Sequence, residues 1–390
     1  MIVKNEQVHI PQTLTSVKEV VDEMIVLDTG STDRTVEIAK EFGAKVYHFE
    51  WCNDFSAARN EALKYARGKW ILVLDADEVL SPEIVPEMKQ AIKSDRHLVI
   101  NLIRQEVGAS QSPYSLVSRL FRNHPEICFS RPYHAMVDDT VQALLQREPQ
   151  WQVVSLSTVA ILHYGYQPGA IAALDKYTRA RTAMEGFLAS HPNDAYVCSK
   201  LGALYIQTSQ LSEGIELLER GLSSTEIEPP VLFELHYHLG NGYTRQQNLN
   251  AAFEHYKAAI EQPILPQLKL GAYNNVGNLL LRVGDLTNAK KAYETTLKID
   301  RNFAAGHNNL GMVLKALGQM QEAIVSYHKA IELNPDYADA YQNLGVVLLK
   351  IGNVPESLSA FGKAIALHEK QNPAEAQRLR EGLQEMGFQI

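Results

Sequence analysis

Five short segments, KLGALY, HLGNGY, NVGNLL, NLGMVL and NLGVVL, place Gly202, Gly240, Gly277, Gly311 and Gly345 in equivalent positions, and the last three glycines follow one another at 34-residue intervals. A unit that short cannot enclose a core of its own. It must bury its apolar face against the next copy, which confines the C-terminal half of the chain to a stacked array. Twelve residues after each glycine stands a small residue, Gly214, Ala252, Ala289, Ala323 or Ser357, and four further on a bulky one, Leu218, Tyr256, Tyr293, Tyr327 or Phe361. The pattern predicts paired helices, with small residues admitting close approach and large ones filling the space between. The first two intervals are longer, 38 and 37 residues, and the surplus falls in proline-containing stretches at 223–230 and 262–267. Asn334-Pro335 closes one unit, and the charged stretch 373–386 predicts a solvating end helix.

Up to about Gly165 the rhythm differs. Apolar runs at 1–3, 24–27, 44–49, 70–74 and 98–102 read as strands, while 36–42, 57–66 and 83–93 carry helical periodicity. Strand and helix in alternation predict βαβ units and a mainly parallel sheet. Helix starts are marked by Ser31-Thr32-Asp33, Asp54-Phe55-Ser56 and Ser81-Pro82-Glu83, the last with proline in the first turn. The most pointed stretch is WILVLDADEVL, Trp70 to Leu80, an apolar run ending in two carboxylates, Asp75 and Asp77. A strand apolar on both faces runs inside a sheet, and open α/β sheets bind ligands at the strands' C-terminal edge. Residues two apart in an extended chain point the same way, so Asp75 and Asp77 can converge on one hard cation. A cation held there can neutralise a diphosphate leaving group.

At 390 residues the chain exceeds one ordinary domain of ~100–200 residues. A net charge of -8 without any long basic run argues against nucleic acid as a partner. No apolar run reaches the ~20 residues of a membrane span. The N-terminal MIVKNEQ has no signal-peptide core, so a cytoplasmic protein is expected. Cys52, Cys128 and Cys198 form an odd, widely spaced set that suits a reducing compartment, each thiol expected as a small buried residue.

Taken together, MIVKNE, VLDTGSTDRT, DFSAARNEAL and WILVLDADE, in this order and at these separations, resemble the family 2 glycosyltransferases, whose nucleotide-sugar domain has the GT-A fold. The 34-residue unit is the tetratricopeptide period, so the whole chain resembles bacterial glycosyltransferases with such repeats at the C-terminus. The resemblance implies a Rossmann-like α/β GT-A domain at 1–166, a linker helix at 167–192, about five repeats in an all-α solenoid at 193–368, and a capping helix at 369–390. It implies transfer of a hexose from a nucleotide-diphospho-sugar, with a UDP-sugar the expected donor, Mn²⁺ or Mg²⁺ the expected cofactor and inversion the expected stereochemistry.

Carried onto these residues, the resemblance gives Asp28 the base edge of the nucleotide, with a turn cap before GSTD as the plainer alternative. Asp33 reads as a helix cap. Glu6 lines the donor pocket or is a solvated loop charge, and Arg59 with Asn60 belongs to the donor site, where a guanidinium suits a phosphate oxygen. Asp77 becomes the principal metal ligand, Asp75 the contact to ribose or metal, and Glu78 a support or a solvent-facing charge. His163 is implied as a further metal ligand; a histidine after an apolar run is otherwise a core residue. Relatives show a His-Glu pair after an RLFRN segment, but here Arg119–Asn123 is followed by Tyr133-His134-Ala135-Met136-Val137, with alanine in the glutamate's position. Asp138 or Asp139 is then the candidate base. Relatives also carry several residues before the methionine of MIVKNE, here Met1, so the first strand is expected to be short or the start to lie upstream.

Between the halves a predicted helix carries Lys176, Arg179 and Arg181, either a solvated face or a source of cations near phosphate. His236 and His238, two apart on a helix, are expected to face different ways and hold no metal. Asn275, Asn309 and Asn343 stand two residues before successive glycines, on the first helix of each repeat. Such a row resembles the asparagine ladder with which some repeat-bearing transferases hold extended peptides; hydrogen bonding between neighbouring repeats is the alternative. The leading expectation is therefore a metal-dependent glycosyltransferase whose repeat groove recruits a protein or peptide. A non-catalytic scaffold, favoured by Ala135, is the opposing one, and an enzyme acting on a lipid or glycan a third.

Overall fold

The computed structural model describes residues 1–109, 111–165 and 170–388, and within 170–176 the backbone only. The boundary expected at Tyr166 and the side chain of Lys176 lie outside the described residues. The chain forms two compact units, Met1–Ala109 with Pro113–Ile227, and Ser110–Ser112 with Glu228–Ile390.

The first unit begins β1 (Ile2–Val3), α1 (Ile10–Val17), β2 (Ile25–Asp28), α2 (Thr35–Glu41), β3 (Lys45–His48), α3 (Phe55–Leu63), β4 (Trp70–Leu72) and β5 (Glu78–Leu80). It continues with α4 (Val85–Ala91), β6 (His97–Glu106), β7 (Tyr114–Arg122), α5 (Asp138–Arg147), β8 (Gln152–His163), α6 (Ala170–Ser190), α7 (Ala195–Gln207) and α8 (Leu211–Leu222). β1, β2 and β3 form a parallel three-stranded sheet. The other five strands run in the order β4-β7-β6-β8-β5, with β6 and β8 parallel and the remaining pairings antiparallel. The sheet structure is thus mixed, because β7 and β8, which lack the all-apolar signature of a parallel strand, supply three antiparallel edges. From Val153 to Thr158 β8 alternates exposed and covered residues, as a half-solvated strand does, and from there to His163 none is exposed. A cavity of about 190 Å³ lined by Met1, Ile25, Arg59, Trp70, Leu72 and Leu120 lies in this unit.

Helix α1 packs Ile10 and Leu14 against Val3, Val26, Ala39 and Ala44. A second cluster holds Leu74, Leu80, Ile84, Ile100, Leu102, Ala160 and Ile161, fixing the turn between β4 and β5 over the sheet. Asp54 starts α3 as expected of its position, accepting from the N–H groups of Ser56 and Ala57 at 2.7 and 3.1 Å. Cys198 is buried, but Cys52 and Cys128 are exposed, correcting the expectation of three buried thiols. Neither sits on the buried face of a helix or sheet core, so the chain covers neither.

The second unit is a run of helix pairs: α9 (Pro229–Arg245) with α10 (Leu249–Glu261), α11 (Leu270–Arg282) with α12 (Leu286–Ile299), α13 (Ala304–Ala316) with α14 (Met320–Leu333), and α15 (Ala338–Lys350) with α16 (Val354–Gln371), closed by α17 (Pro373–Glu385). The glycine-to-bulky spacing has a direct steric cause. A Cβ on Gly240, Gly277 or Gly311 would lie 2.5 to 2.6 Å from the ring of Tyr256, Tyr293 or Tyr327 of the partner helix. Each of these tyrosines is fully buried. Burial of such a ring removes ~150–250 Å² from water, on the order of 4–6 kcal/mol gross, which an alanine in place of glycine would oppose. The end helix places Ala376, Leu379 and Leu383 against Phe361 and Ile365, so it closes the stack with one apolar face.

Candidate active site

Strand register brings the key residues together. Glu78 on β5 and Glu106 on β6 both stand opposite His163 on β8. His163 Nε2 lies 3.1 Å from Asp77 Oδ2, and Nδ1 lies 2.5 Å from Glu106 Oε2. Burial alone would lower the imidazole's pKa, but the carboxylates on either side lift it to about 9. Against the same burial, His163 holds the Asp77 and Glu106 carboxyls below the ordinary range. The turn carrying Asp77 is stitched from both sides: Thr13 Oγ1 donates to Ala76 O at 2.5 Å and Tyr164 N to Asp77 O at 2.9 Å.

A carboxylate and an imidazole whose other nitrogen meets a second carboxylate is a donor set suited to a divalent cation. The space before these atoms is kept clear by a glycine. A Cβ on Gly165 would sit 2.5 Å from His163 Nε2 and 2.6 Å from Asp77 Oδ2. The residues present therefore fit a small cation.

Asp75 is differently engaged. Arg59 Nη2 donates to its Oδ1 at 2.8 Å, and Arg119 Nη2 to its Oδ2 at 2.9 Å. Burial would raise this carboxyl, but Arg119 and Arg59 hold it well below the usual carboxylate range. Its backbone N–H donates to Glu78 Oε2 at 2.9 Å, and Arg104 joins Glu78 to Glu106 at 3.2 and 2.9 Å. Glu78 is completely buried and supports the turn; it does not face solvent. Both Asp75 oxygens thus meet guanidinium groups, while Arg59, expected near a phosphate, holds Asp75 and the carbonyl of Ala135 at 3.1 Å. Its neighbour Asn60 is bound to the backbone of Phe129 through both ends of its amide.

Asp28 is 3% exposed and accepts from Gly30 N and Ser31 N at 3.2 and 3.1 Å, the turn-capping arrangement. His48 Nδ1 lies 3.3 Å from its Oδ2. Glu6 has its carboxylate against His9, and burial followed by the charge of Asp77 raises its pKa; the His9 contact opposes. Asp33 accepts from Thr35 N at 3.0 Å and Gln7 N at 3.2 Å.

The two candidate bases lie at the start of α5. Asp138 Oδ1 accepts from Ser118 Oγ at 2.8 Å, and burial pushes its carboxyl up. Asp139 Oδ2 accepts from Arg131 Nη1 at 2.5 Å and from Ser130 Oγ. Sequence reasoning missed Glu106, Arg104 and Arg119. The RLFRN segment contained Arg119, but only the fold reveals its partner 44 residues away.

In the repeats, Asn275 Nδ2 donates to Asn241 Oδ1 at 3.0 Å and Tyr256 Oη at 3.2 Å. Asn309 Nδ2 donates to Asn274 Oδ1 at 2.9 Å, and Asn343 Nδ2 to Asn308 Oδ1 at 3.1 Å. Each amide of the row binds the preceding repeat. His236 meets His255, Nδ1 to Nδ1 at 3.0 Å. Among the described residues, His124, Glu126 and Glu148 also gather, but Arg147 and Trp151 already engage the two carboxylates at 2.5 and 2.9 Å.

The glycosyl transferase family 2 model matches residues 1–154, and tetratricopeptide models match 270–303, 311–352 and 338–370. A TPR repeat-containing protein of Synechococcus elongatus is 47% identical over 286 residues, 73% of this chain and 71% of that protein. The SPbeta prophage-derived glycosyltransferase SunS of Bacillus subtilis is 28% identical over 57% of this chain, which spans about half, 52%, of SunS. An uncharacterized glycosyltransferase of Rickettsia bellii is 34% identical over 150 residues, 36% of this chain and half of that protein. With the carboxylate turn, the histidine facing it and the repeat stack, these matches make the chain a member of the family 2 glycosyltransferases that carries tetratricopeptide repeats behind its transferase domain.

Proposed function

We propose that the protein transfers a sugar, with inversion, from a UDP-sugar to a protein or peptide acceptor, and that it requires Mn²⁺ or Mg²⁺. The observation that carries this reading is the Asp77–His163–Glu106 arrangement with clear space kept by Gly165. Asp77 and His163 hold the divalent cation, and Glu106 fixes the imidazole so that Nε2 faces it. Once bound, the cation supplies charge to offset the diphosphate leaving group.

Asp75, clamped by two arginines, keeps the turn rigid and directs its remaining lone pairs toward ribose. Asp28 and Glu6 border the nucleotide, Asp28 by the edge of its capped carboxylate. Between the candidate bases, the acceptor's proton goes to Asp138. Asp139 is engaged by Arg131, whereas burial raises the proton affinity of Asp138, the direction a proton-accepting group requires. The repeats present the acceptor, and the cytoplasm is the proposed location. Among the described residues no helix is long and apolar enough to cross a membrane.

Thermal unfolding against a panel of nucleotide-sugars, with and without Mn²⁺, tests the reading. Ligand binding to the folded state raises the melting temperature, and Asp77→Ala should abolish the Mn²⁺-dependent part. Absence of any metal-dependent shift in the native chain would sink the proposal. Release of UDP from the stabilising donor then measures turnover.

A further inference from the structure

The loop from Phe129 to Val137 is tied at both ends, and its anchor is Arg131. The Arg131 side chain is 9% exposed and bridges two carboxylates, Asp139 at 2.5 Å and Asp194 at 2.8 Å. It also lies over the rings of Tyr196 and Phe187, with centroids 5.1 and 6.0 Å away. Asp194 is the N-cap of α7, the first repeat helix. Its Oδ1 takes the Val197 N–H at 2.8 Å, and its Oδ2 takes Arg131. One carboxylate therefore starts the repeat and fastens it to the transferase loop.

From Arg131 the loop follows α3. Ser56 Oγ donates to Arg131 O, Phe55 N to Pro132 O at 3.0 Å, and Arg59 Nη1 to Ala135 O at 3.1 Å. Tyr133 packs edge-on to Phe55, and a bridge between Ser130 and Met136 closes the loop on itself. Arg131 and His134 hold left-handed backbone conformations, φ 70° and 52°, which a non-glycine residue keeps only where its surroundings fix it. The last link is Arg59, which grips Asp75 with its other terminal nitrogen. A continuous set of contacts thus runs from the first repeat helix to the carboxylate turn.

We propose that Arg131 is a positioning residue for the transfer reaction: by holding Asp194 and Asp139 together it presses the loop onto Arg59 and keeps Arg59 on Asp75. The first helix pair of the repeats is then a working part of the transferase. Displacement of α7 loosens the nucleotide site without touching it. The proposal rests on the reading of the carboxylate turn as the donor site, and its test separates the two.

The informative variant is Asp194→Asn, because asparagine caps a helix as well as aspartate does but weakens the charged link to Arg131. Full-length native chain, Asp194→Asn, Arg131→Lys, their double variant and Asp77→Ala are titrated with UDP in saturating MnCl₂ at 25 °C. The proposal expects about three- to tenfold weaker UDP binding in each single Asp194 or Arg131 variant, and no further loss in the double variant. Native affinity in all three, with binding abolished by Asp77→Ala, overturns it. Amide hydrogen exchange of residues 55–63 and 130–137 gives a readout that needs no nucleotide. Faster exchange there in Asp194→Asn, with the melting temperature held and UDP binding weakened, supports the positioning role, and unchanged exchange overturns it whatever UDP does. UDP binding that ignores Asp77→Ala counts against the donor-site reading alone.

Discussion

His163 lies with Nε2 3.1 Å from Asp77 Oδ2 and with Nδ1 2.5 Å from Glu106 Oε2, so one ring reports on two carboxylates 29 residues apart in the chain. Glu106 meets the ring nitrogen opposite the one that faces Asp77, and so decides which way the imidazole faces. Glu106→Gln keeps a hydrogen-bonding oxygen but removes the charge, and Mn²⁺ affinity should fall about 10- to 100-fold with the fold intact. Gly165→Ala should act more severely, since its methyl group enters the space before both ligand atoms. Titration with Mn²⁺, followed by the signal of the free ion, reads both variants. Unaltered affinity in Gly165→Ala would remove the site from consideration.

Asp75 and Asp77 should separate in their effects although they are two residues apart. Removing the Asp75 charge leaves Arg59 and Arg119 buried without their shared partner, which costs about 3 kcal/mol or more. Asp77→Asn leaves His163 with Glu106 and should change stability by no more than about 1 kcal/mol. Urea unfolding of Asp75→Asn and Asp77→Asn gives this contrast, and Mn²⁺ binding gives the reverse one: it should be lost in Asp77→Asn and retained in folded Asp75→Asn, while UDP binding weakens in both. Equal destabilisation by the two variants would contradict the division into scaffold and ligand.

Much of this was legible in the chain and some was not, for identifiable physical reasons. The repeat could be read because its cause is local: glycine at one position and a large ring sixteen residues later meet within a single helix pair. The WILVLDADEVL stretch marked the carboxylate turn for the same reason. The partners of that turn were hidden. Arg119 and Glu106 come from β7 and β6, and nothing in a strand's own sequence states which carboxylate or imidazole lies opposite. Arg59 was singled out, but residue type gives a guanidinium no preference between a phosphate and Asp75. The asparagine row shows the same limit: its spacing was plain, while its bonds to Asn241, Asn274 and Asn308 depended on the stacking of helices.

Two equivalent tyrosines offer a sharper test of the repeats. Tyr293 Oη donates to Asn278 Oδ1 at 2.7 Å, whereas Tyr327 Oη is buried without a hydrogen-bond partner. The difference is Met312, which occupies in the next repeat the position of Asn278. Tyr293→Phe should cost about 1 kcal/mol, Tyr327→Phe should be neutral or stabilising, and Met312→Asn should stabilise by about 1 kcal/mol by supplying the acceptor. Urea midpoints at constant slope measure all three. A loss in Tyr327→Phe equal to that in Tyr293→Phe would show that the Tyr327 hydroxyl has a partner.

The asparagine row can serve the stack, the acceptor, or both, and energetics separates these roles. Asn309→Ala leaves Asn274 Oδ1, at a residue only 2% exposed, without its donor at 2.9 Å, a cost of about 1–3 kcal/mol. A lower stability in that variant therefore says nothing about peptides. Replacing both partners, Asn274→Leu with Asn309→Leu, removes the unmet polar group and should recover most of the loss, since an apolar pair of similar size needs no hydrogen bond. The double variant then has a stable stack without the amides. If Asn309 also grips an acceptor, KM for a protein acceptor should rise about tenfold in the double variant while UDP binding stays native, because a lost hydrogen bond of ~1.4 kcal/mol is a factor of ten. A native KM beside recovered stability would assign this rung of the ladder to the solenoid alone.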